Sequence, residues 1–304
     1  MKRIRYRLEA LALRVGIALL GSLPVDAASN LGGFLGRHIG PHLPVSARAR
    51  RNLALVYPDK SAADKARILA GMWDNLGRVA AEYPHIGEIA APENGRIEWV
   101  ESASLRALRD AGVSGIVASG HLGNWEIMTA AAMLRGLQVT GIVREPNNPF
   151  VRPIIERLRA VAGGVLAPKG LLGAKAALDA LGQGRVLGLL YDQKMNDGIA
   201  IPFFGIEAMT PAAPAQLALR LDCPLVPVRM ERVGPARFRF ESFEALALPD
   251  SGDRQADTVA VMTELNEILE GWIRDKPEQW LWLHRRWPEA AYRQAESVVG
   301  KPGG

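Results

Sequence analysis

Cysteine is almost absent: Cys223 is the only one in 304 residues. No internal disulfide can form, and no cysteine-based metal cluster can be assembled. Cys223 lies in the apolar stretch Leu221-Asp222-Cys223-Pro224-Leu225, which suits a buried structural thiol better than a nucleophile. Histidine is also scarce. The five present include no His-Glu-x-x-His pair, so no metal is expected. A Gly-x-x-x-x-Gly-Lys phosphate loop is missing. Gly182-Gln183-Gly184-Arg185 precedes a strand where a dinucleotide loop would follow one, and reads as a turn. Ser119 is not in a Gly-x-Ser-x-Gly elbow, because position 117 is valine. Arg48, Arg50 and Arg51 have no interleaved aromatic residues, so no nucleic acid is expected as a partner. The chain also lacks internal repeats and low-complexity linkers.

What is present describes a folded, basic protein. Hydrophobic residues make up 48% of the chain and charged residues 23%, enough for a sizeable core and against wholesale disorder. The formal net charge of +5 favours anionic partners such as phospholipid headgroups or acidic proteins. Lys2, Arg3, Arg5 and Arg7 precede an apolar run from Ala10 to Leu23. That run is shorter than the roughly 20 residues that span a bilayer. In a helix, Arg3, Arg7 and Arg14 share one face while Leu8, Leu13, Leu19, Leu20 and Leu23 occupy the others. The pattern predicts an interfacial helix with a basic stripe for an anionic membrane surface. A signal peptide ending near Ala27 is the rival reading, opposed by Glu9 and Arg14 within its apolar region. An amphipathic helix packed on its own domain is the other.

Residues 1–25 are therefore set apart as a membrane-associated helix, 26–287 as one domain, and 288–304 as a frayed tail. Within the domain, a helix is predicted from Ser61 to Tyr83, stopped by Pro84, and a short one from Glu101 to Asp110. Strands at Gly115–Ser119, Val139–Val143, Val165–Leu166, Val186–Tyr191 and Leu225–Val228 alternate with helices at Trp125–Arg135, Pro149–Val161, Leu171–Leu181 and Pro211–Leu221. A last helix spans Arg254–Arg274. This alternation implies an α/β fold with a mostly parallel central sheet flanked by helices. Ligands of such sheets bind beyond the carboxyl ends of strands. That rule points to Gly120-His121, Arg144 and Tyr191-Asp192.

The segment Gly120-His121-Leu122-Gly123-Asn124-Trp125-Glu126 follows the first of these strands. Asn124 suits a helix N-cap, and a turn at Leu122-Gly123 would let Glu126 fold back towards the imidazole of His121. A carboxylate on one ring nitrogen fixes the tautomer and leaves the other nitrogen to take a proton from a hydroxyl. Arg144, at a strand end, suits bidentate capture of a phosphate or an ion pair with a carboxylate such as Glu145. Asp192 suits a structural hydrogen bond tied to the site or direct contact with substrate. His284, in the alternating run Trp280, Trp282, His284, reads as a packed core histidine.

These blocks resemble, in order along most of the chain, the bacterial lipid A acyltransferases within the lysophospholipid acyltransferase superfamily. The resemblance is carried by Arg51-Asn52-Leu53, Tyr57-Pro58, Asp74 to Arg78, His121 to Glu126, Arg144-Glu145-Pro146-Asn147, Asp192-Gln193, Pro202-Phe203-Phe204-Gly205 and Trp280 to Trp287. Glu145 is an insertion relative to the family's second block. The resemblance implies transfer of a fatty acyl group from an acyl thioester to a hydroxyl of a membrane glycolipid. His121 would be the general base and Glu126 its orienting carboxylate, with Asn124, Arg144, Asp192 and Gln193 meeting substrate. Acyl carrier protein or coenzyme A would carry the acyl group, and no cofactor is expected. The implied location is the cytoplasmic face of the inner membrane. A phosphatidylinositol mannoside is an alternative acceptor, and a lipid-binding scaffold of the same fold is the non-enzymatic alternative.

Overall fold

The computed structural model describes residues 2–143, 145–160, 165–168 and 170–299. The chain opens with helices α1 (Lys2–Gly21), α2 (Val25–Ile39), α3 (Ser46–Val56), α4 (Ala62–Glu82) and α5 (Ile86–Ala90). The α/β part follows as β1 (Ile97–Val100), α6 (Ala103–Asp110), β2 (Gly115–Ser119), α7 (Met128–Met133), β3 (Val139–Val143), α8 (Arg152–Arg159), β4 (Val165–Pro168), α9 (Leu171–Gly182) and β5 (Val186–Leu190). A hairpin, β6 (Ile199–Phe203) and β7 (Ile206–Thr210), leads to α10 (Ala213–Leu221), β8 (Leu225–Gly234), β9 (Arg237–Ser242), α11 (Arg254–Asp275) and α12 (Glu289–Val299). Seven strands form one sheet in the order β1-β9-β8-β2-β5-β3-β4. Every neighbouring pair in it is parallel except β8 and β9. The α/β fold with a mostly parallel sheet flanked by helices is thus as the alternation predicts.

Local chemistry accounts for the main boundaries. Ser61 caps α4 by accepting the backbone N–H of Asp64 at 3.0 Å. The predicted helix from Trp125 begins instead as a 3-10 turn over Trp125–Ile127, because the Asn124 side chain accepts from Glu126 N at 3.2 Å and tightens the entry. β8 runs to Gly234, beyond the predicted Val228, and pairs with β9, whose Phe238 and Phe240 alternate into the core. Of the tail expected to fray from 288, residues 289–299 are helical, and 300–304 lie outside the described residues. Residues 289–299 form α12, docked by buried Tyr292, whose hydroxyl donates to Asn52 Oδ1 at 2.6 Å.

Helix α1 rests on the domain without entering it; of its residues only Ala10 is buried. It is tied down by Asn148 Nδ2, which donates to Tyr6 O and Glu9 Oε2, both at 2.9 Å. Among the described residues no helix is long and apolar enough to cross a membrane. Ile4, Leu8, Leu11, Val15 and Leu19 form an exposed apolar stripe along α1, and α2 exposes Leu31, Phe34, Leu35 and Ile39.

The buried side of α2 packs on α4 with backbones in near contact. Gly32 and Gly36, one turn apart, face Gly77 and the Trp73 carbonyl, and a Cβ at any of the three glycines would collide with backbone across the interface. The Gly32-Gly33 and Gly36 cluster is therefore a helix-packing surface. Gly77→Ala is expected to destabilise the fold by about 1–3 kcal/mol through overpacking, read as a lowered Tm and denaturation midpoint. An unchanged melting curve would show that the helices have room to separate.

Candidate functional site

Strands β2 and β5 are parallel neighbours, and their last registered pair is Ser119 with Leu190. The chain continues in register for another step, with Tyr191 N donating to Ser119 O at 3.1 Å. Two residues beyond the last pair on each strand lie His121 and Asp192, which meet because of that register. Nδ1–H of His121 donates to Asp192 Oδ1 at 2.7 Å. The other oxygen, Oδ2, accepts the backbone N–H of His121 at 2.8 Å and the indole N–H of Trp280 at 2.8 Å. Asp192 has no exposed surface. Burial pushes its carboxyl upward, but the charge His121 carries when protonated, the hydrogen bonds from His121 and the nearby His284 outweigh it, holding the group well below the usual carboxylate range.

This arrangement fixes the tautomer: Nδ1 carries the proton, and Nε2 presents a lone pair. Gln193, the next residue, donates its side-chain amide towards His121 Nε2 at 3.0 Å and towards His284 Nε2 at 3.0 Å. The imidazole also packs edge-on against Trp125, with ring centroids 5.1 Å apart. His284 is therefore part of the site, where the alternating tryptophan pattern predicts a core position.

The carboxylate expected on His121 was Glu126, and here the structure differs. Glu126 accepts two hydrogen bonds from Arg159, at 2.9 and 2.8 Å, and one from Trp125 Nε1 at 3.2 Å. The phenol of Tyr83 joins them. Burial first, then the Glu126 charge, raises its ionisation well above the ordinary range, so it remains a neutral hydrogen-bonding group. The physical reason is the 3-10 turn, which directs Glu126 towards α8 while the strand register supplies Asp192 to the imidazole. Arg159 and Tyr83 carried no motif signal.

The turn between His121 and Glu126 is held from outside the cavity. Gly123 has a positive φ of 54°, and a Cβ there would run into the Met230 carbonyl. Its own carbonyl accepts from Asn75 Nδ2 at 2.9 Å, and its N–H donates to Gln279 O at 3.2 Å. Asn124, predicted to touch substrate, is 1% exposed and donates to Glu82 Oε2 at 2.7 Å. It shapes the turn. Glu82 is itself fully buried and pairs through both oxygens with Arg232. Asp192, with its three donors, takes the structural hydrogen-bonding role of the two readings it allowed. Gln193 is the member of the predicted binding set that faces the cavity. Arg144 lies outside the described residues; its neighbour Glu145 pairs with Arg152 at 2.8 Å.

Beneath the imidazole lies a cavity of about 400 Å³. Its polar end carries His121, Gln193, His284, Glu126 and Arg159, and the remainder is mostly apolar, reaching Val228 and Phe240 across the sheet. Ser119 also lines it; its hydroxyl is buried and has no hydrogen-bond partner among the described residues. An imidazole with a free Nε2 lining a largely apolar pocket suits hydroxyl chemistry on a substrate with a long hydrocarbon part.

Comparison with known proteins agrees with this chemistry. The family model described as "Bacterial lipid A biosynthesis acyltransferase" matches residues 3–289. The chain is 26% identical over 294 residues to the lipid A biosynthesis lauroyltransferase of Escherichia coli K12, covering 93% of this chain and 92% of that one. It is 24% identical over 297 residues to the lipid A biosynthesis palmitoleoyltransferase of the same organism, covering 93% and 91%. A phosphatidylinositol mannoside acyltransferase of Mycolicibacterium smegmatis is 23% identical over 296 residues, covering 91% and 90%. With the family model matched over residues 3–289, the chain belongs to the bacterial lipid A biosynthesis acyltransferase family and is an acyltransferase.

Proposed function

We propose that this enzyme moves a fatty acyl group from an acyl thioester to a hydroxyl of a membrane glycolipid, with a lipid A precursor as the acceptor. The observation that carries the reading is the His121–Asp192 pair at the mouth of the apolar cavity. The acceptor hydroxyl displaces the Gln193 amide from His121 Nε2 and gives up its proton there. Its oxygen attacks the thioester carbonyl, the tetrahedral intermediate collapses, and the leaving thiolate takes the proton back from the imidazolium. Asp192 stabilises that imidazolium and keeps the ring in one orientation. The unpartnered Ser119 hydroxyl is placed to meet a polar atom at the head of the acyl chain. Glu126 and Arg159 line the same mouth and bind the polar part of the acceptor. The donor is an acyl carrier protein, an acidic partner suited to a chain of net charge +5, or coenzyme A. The mannoside acyltransferase relative supports a second acceptor class, a phosphatidylinositol mannoside.

The exposed apolar stripes on α1 and α2, with Arg3, Arg7 and Arg14 exposed beside them, support attachment to an anionic membrane surface, which we place at the cytoplasmic face of the inner membrane.

Purified protein incubated with acyl thioesters and either lipid A precursors or phosphatidylinositol mannosides, followed by mass spectrometry of the lipids, tests the acceptor assignment. Acylation of the mannoside alone would replace the lipid A reading. In the same assay His121→Ala and Asp192→Asn are each expected to lose ~10²–10⁴-fold in turnover while remaining folded. Glu126→Ala is also expected to be weak, through a raised KM for the acceptor, because it frees Arg159. Wild-type turnover in His121→Ala would end the proposal.

Asp192 also sets a pH dependence. Its folded-state ionisation is depressed, so its contribution to stability is present above the ordinary carboxylate value of about 3.9 and is lost as pH falls below it. The Tm difference between wild type and Asp192→Asn should therefore be full at neutral pH and shrink in acid. A difference that is constant from pH 7 to strong acid would assign the effect to shape alone.

Leu8, Leu11 and Phe34 are 61%, 58% and 60% exposed. Their joint replacement by glutamate should reduce partitioning onto anionic phospholipid vesicles and leave Tm unchanged. Retained partitioning would rule out these helices as the membrane contact.

A further inference from the structure

The floor of the cavity has a gap that packing does not require. Val117 on β2 is registered with Gly188 on β5, Gly188 with Gly141 on β3, and Gly141 with Leu166 on β4. Registered residues of parallel strands project to the same face, so these four form one row across the sheet. All four line the cavity. The two central members have no side chain, and the result is a trough roofed by Met128 and Thr129 of α7.

Glycine inside a strand weakens it and calls for a reason. Elsewhere in this fold the reason is contact with backbone, as at Gly32, Gly36 and Gly77. At Gly188 an added Cβ would meet Val139 Cγ1 at 3.3 Å, Val117 Cγ2 at 3.8 Å and Thr140 O at 3.8 Å. At Gly141 it would meet only Leu166 Cδ2 at 3.0 Å and Thr129 Oγ1 at 3.7 Å, both side-chain ends. Neither glycine has a positive φ. A methyl at either position needs Val139 or Leu166 to give by a few tenths of an ångström and meets no backbone atom closer than 3.8 Å, and what it would fill is the trough.

We infer that Gly141 and Gly188 determine which acyl chains this enzyme accepts, by keeping open the passage through which the distal part of a long chain runs. The inference rests on the acyl-transfer reading above. The row lies four residues before His121, which follows the end of β2, so the two are at most roughly 13 Å apart at ~3.3 Å per residue. A short acyl chain with its carbonyl at His121 ends before the row, and a long chain must cross it. Side-chain bulk at position 188 then selects by length and leaves the chemistry of His121 and Asp192 untouched.

The test is a graded series, Gly188→Ala, Gly188→Val and Gly141→Ala, assayed with octanoyl, lauroyl, myristoyl and palmitoyl thioesters. Native mass spectrometry of the same proteins with free octanoate and palmitate supplies a binding readout independent of catalysis. Gly188→Val should keep octanoyl transfer within about twofold of wild type and lose palmitoyl transfer by on the order of 10- to 100-fold, with Gly188→Ala between. Palmitate binding should fall in parallel, and octanoate binding should hold. An equal loss at every chain length, or an unchanged length profile, overturns the inference. If the wild type binds fatty acids with the expected dependence on residue 188 but transfers none, the acyl-transfer reading fails and the cavity assignment stands. If wild type transfers acyl groups and the variants show no length dependence in either readout, the reverse holds.

Discussion

Asp192 is a carboxylate with no solvent contact that remains ionised at the bottom of the site. It can do so because three N–H donors converge on two oxygens: the His121 ring, the His121 backbone and the Trp280 indole. Remove the carboxyl group and all three lose their acceptor together; take away the donors and the charge cannot stay buried. The imidazole orientation, the tautomer and the docking of the Trp280 segment onto β2 are thus one interaction. Leu122 bridging Trp280 and Leu281 N donating to His121 O extend that docking along the backbone. The C-terminal segment is bound into the site by the same group that orients the His121 ring.

A second buried ion pair supports the motif from behind. Glu82 at the end of α4 receives Arg232 from β8, the Ser29 hydroxyl from α2 and the Asn124 amide from the turn after His121. Arg232 also donates to Asn75, which holds the Gly123 carbonyl. Removing one member of such a set leaves an uncompensated charge in the interior, which is far more damaging than the pair is stabilising. The N-terminal helices are consequently joined to the turn between His121 and Glu126 through a few fully paired polar groups. The close α2–α4 packing at Gly32, Gly36 and Gly77 is what brings Ser29 within reach of Glu82.

The alternation of strands and helices, the strand-end position of His121, the Asn124 cap and the Ser61 start of α4 were legible in the sequence, because each rests on local periodicity or capping. The partner of His121 was not. A five-residue spacing suggested Glu126, whereas the group on the ring comes from 71 residues away through the register of β2 and β5. Periodicity locates strands but not their order in the sheet. Arg159 and Tyr83 were invisible for the same reason. The alternation of Phe238 and Phe240 in β9 was a readable signal, as was Tyr292 in a segment taken for a loose tail. The role of the Gly32-Gly33 and Gly36 cluster needed the position of α4.

The row formed by Val117, Gly188, Gly141 and Leu166 belongs to a pleated surface, and pleats have a fixed step. Side chains return to one face of a strand every second residue, about 6.6 Å apart. A boundary built from strand residues can therefore move up or down this cavity only by that increment, several methylene groups at a time. Depth control by the sheet is digital. Discrimination between chains that differ by one or two carbons would then fall to the helical wall, where Met128 of α7 presents an unbranched, adaptable side chain. Under the inferred role of Gly141 and Gly188, coarse and fine selection would reside on two different walls of the same pocket, so that substitutions could alter one while leaving the other in place.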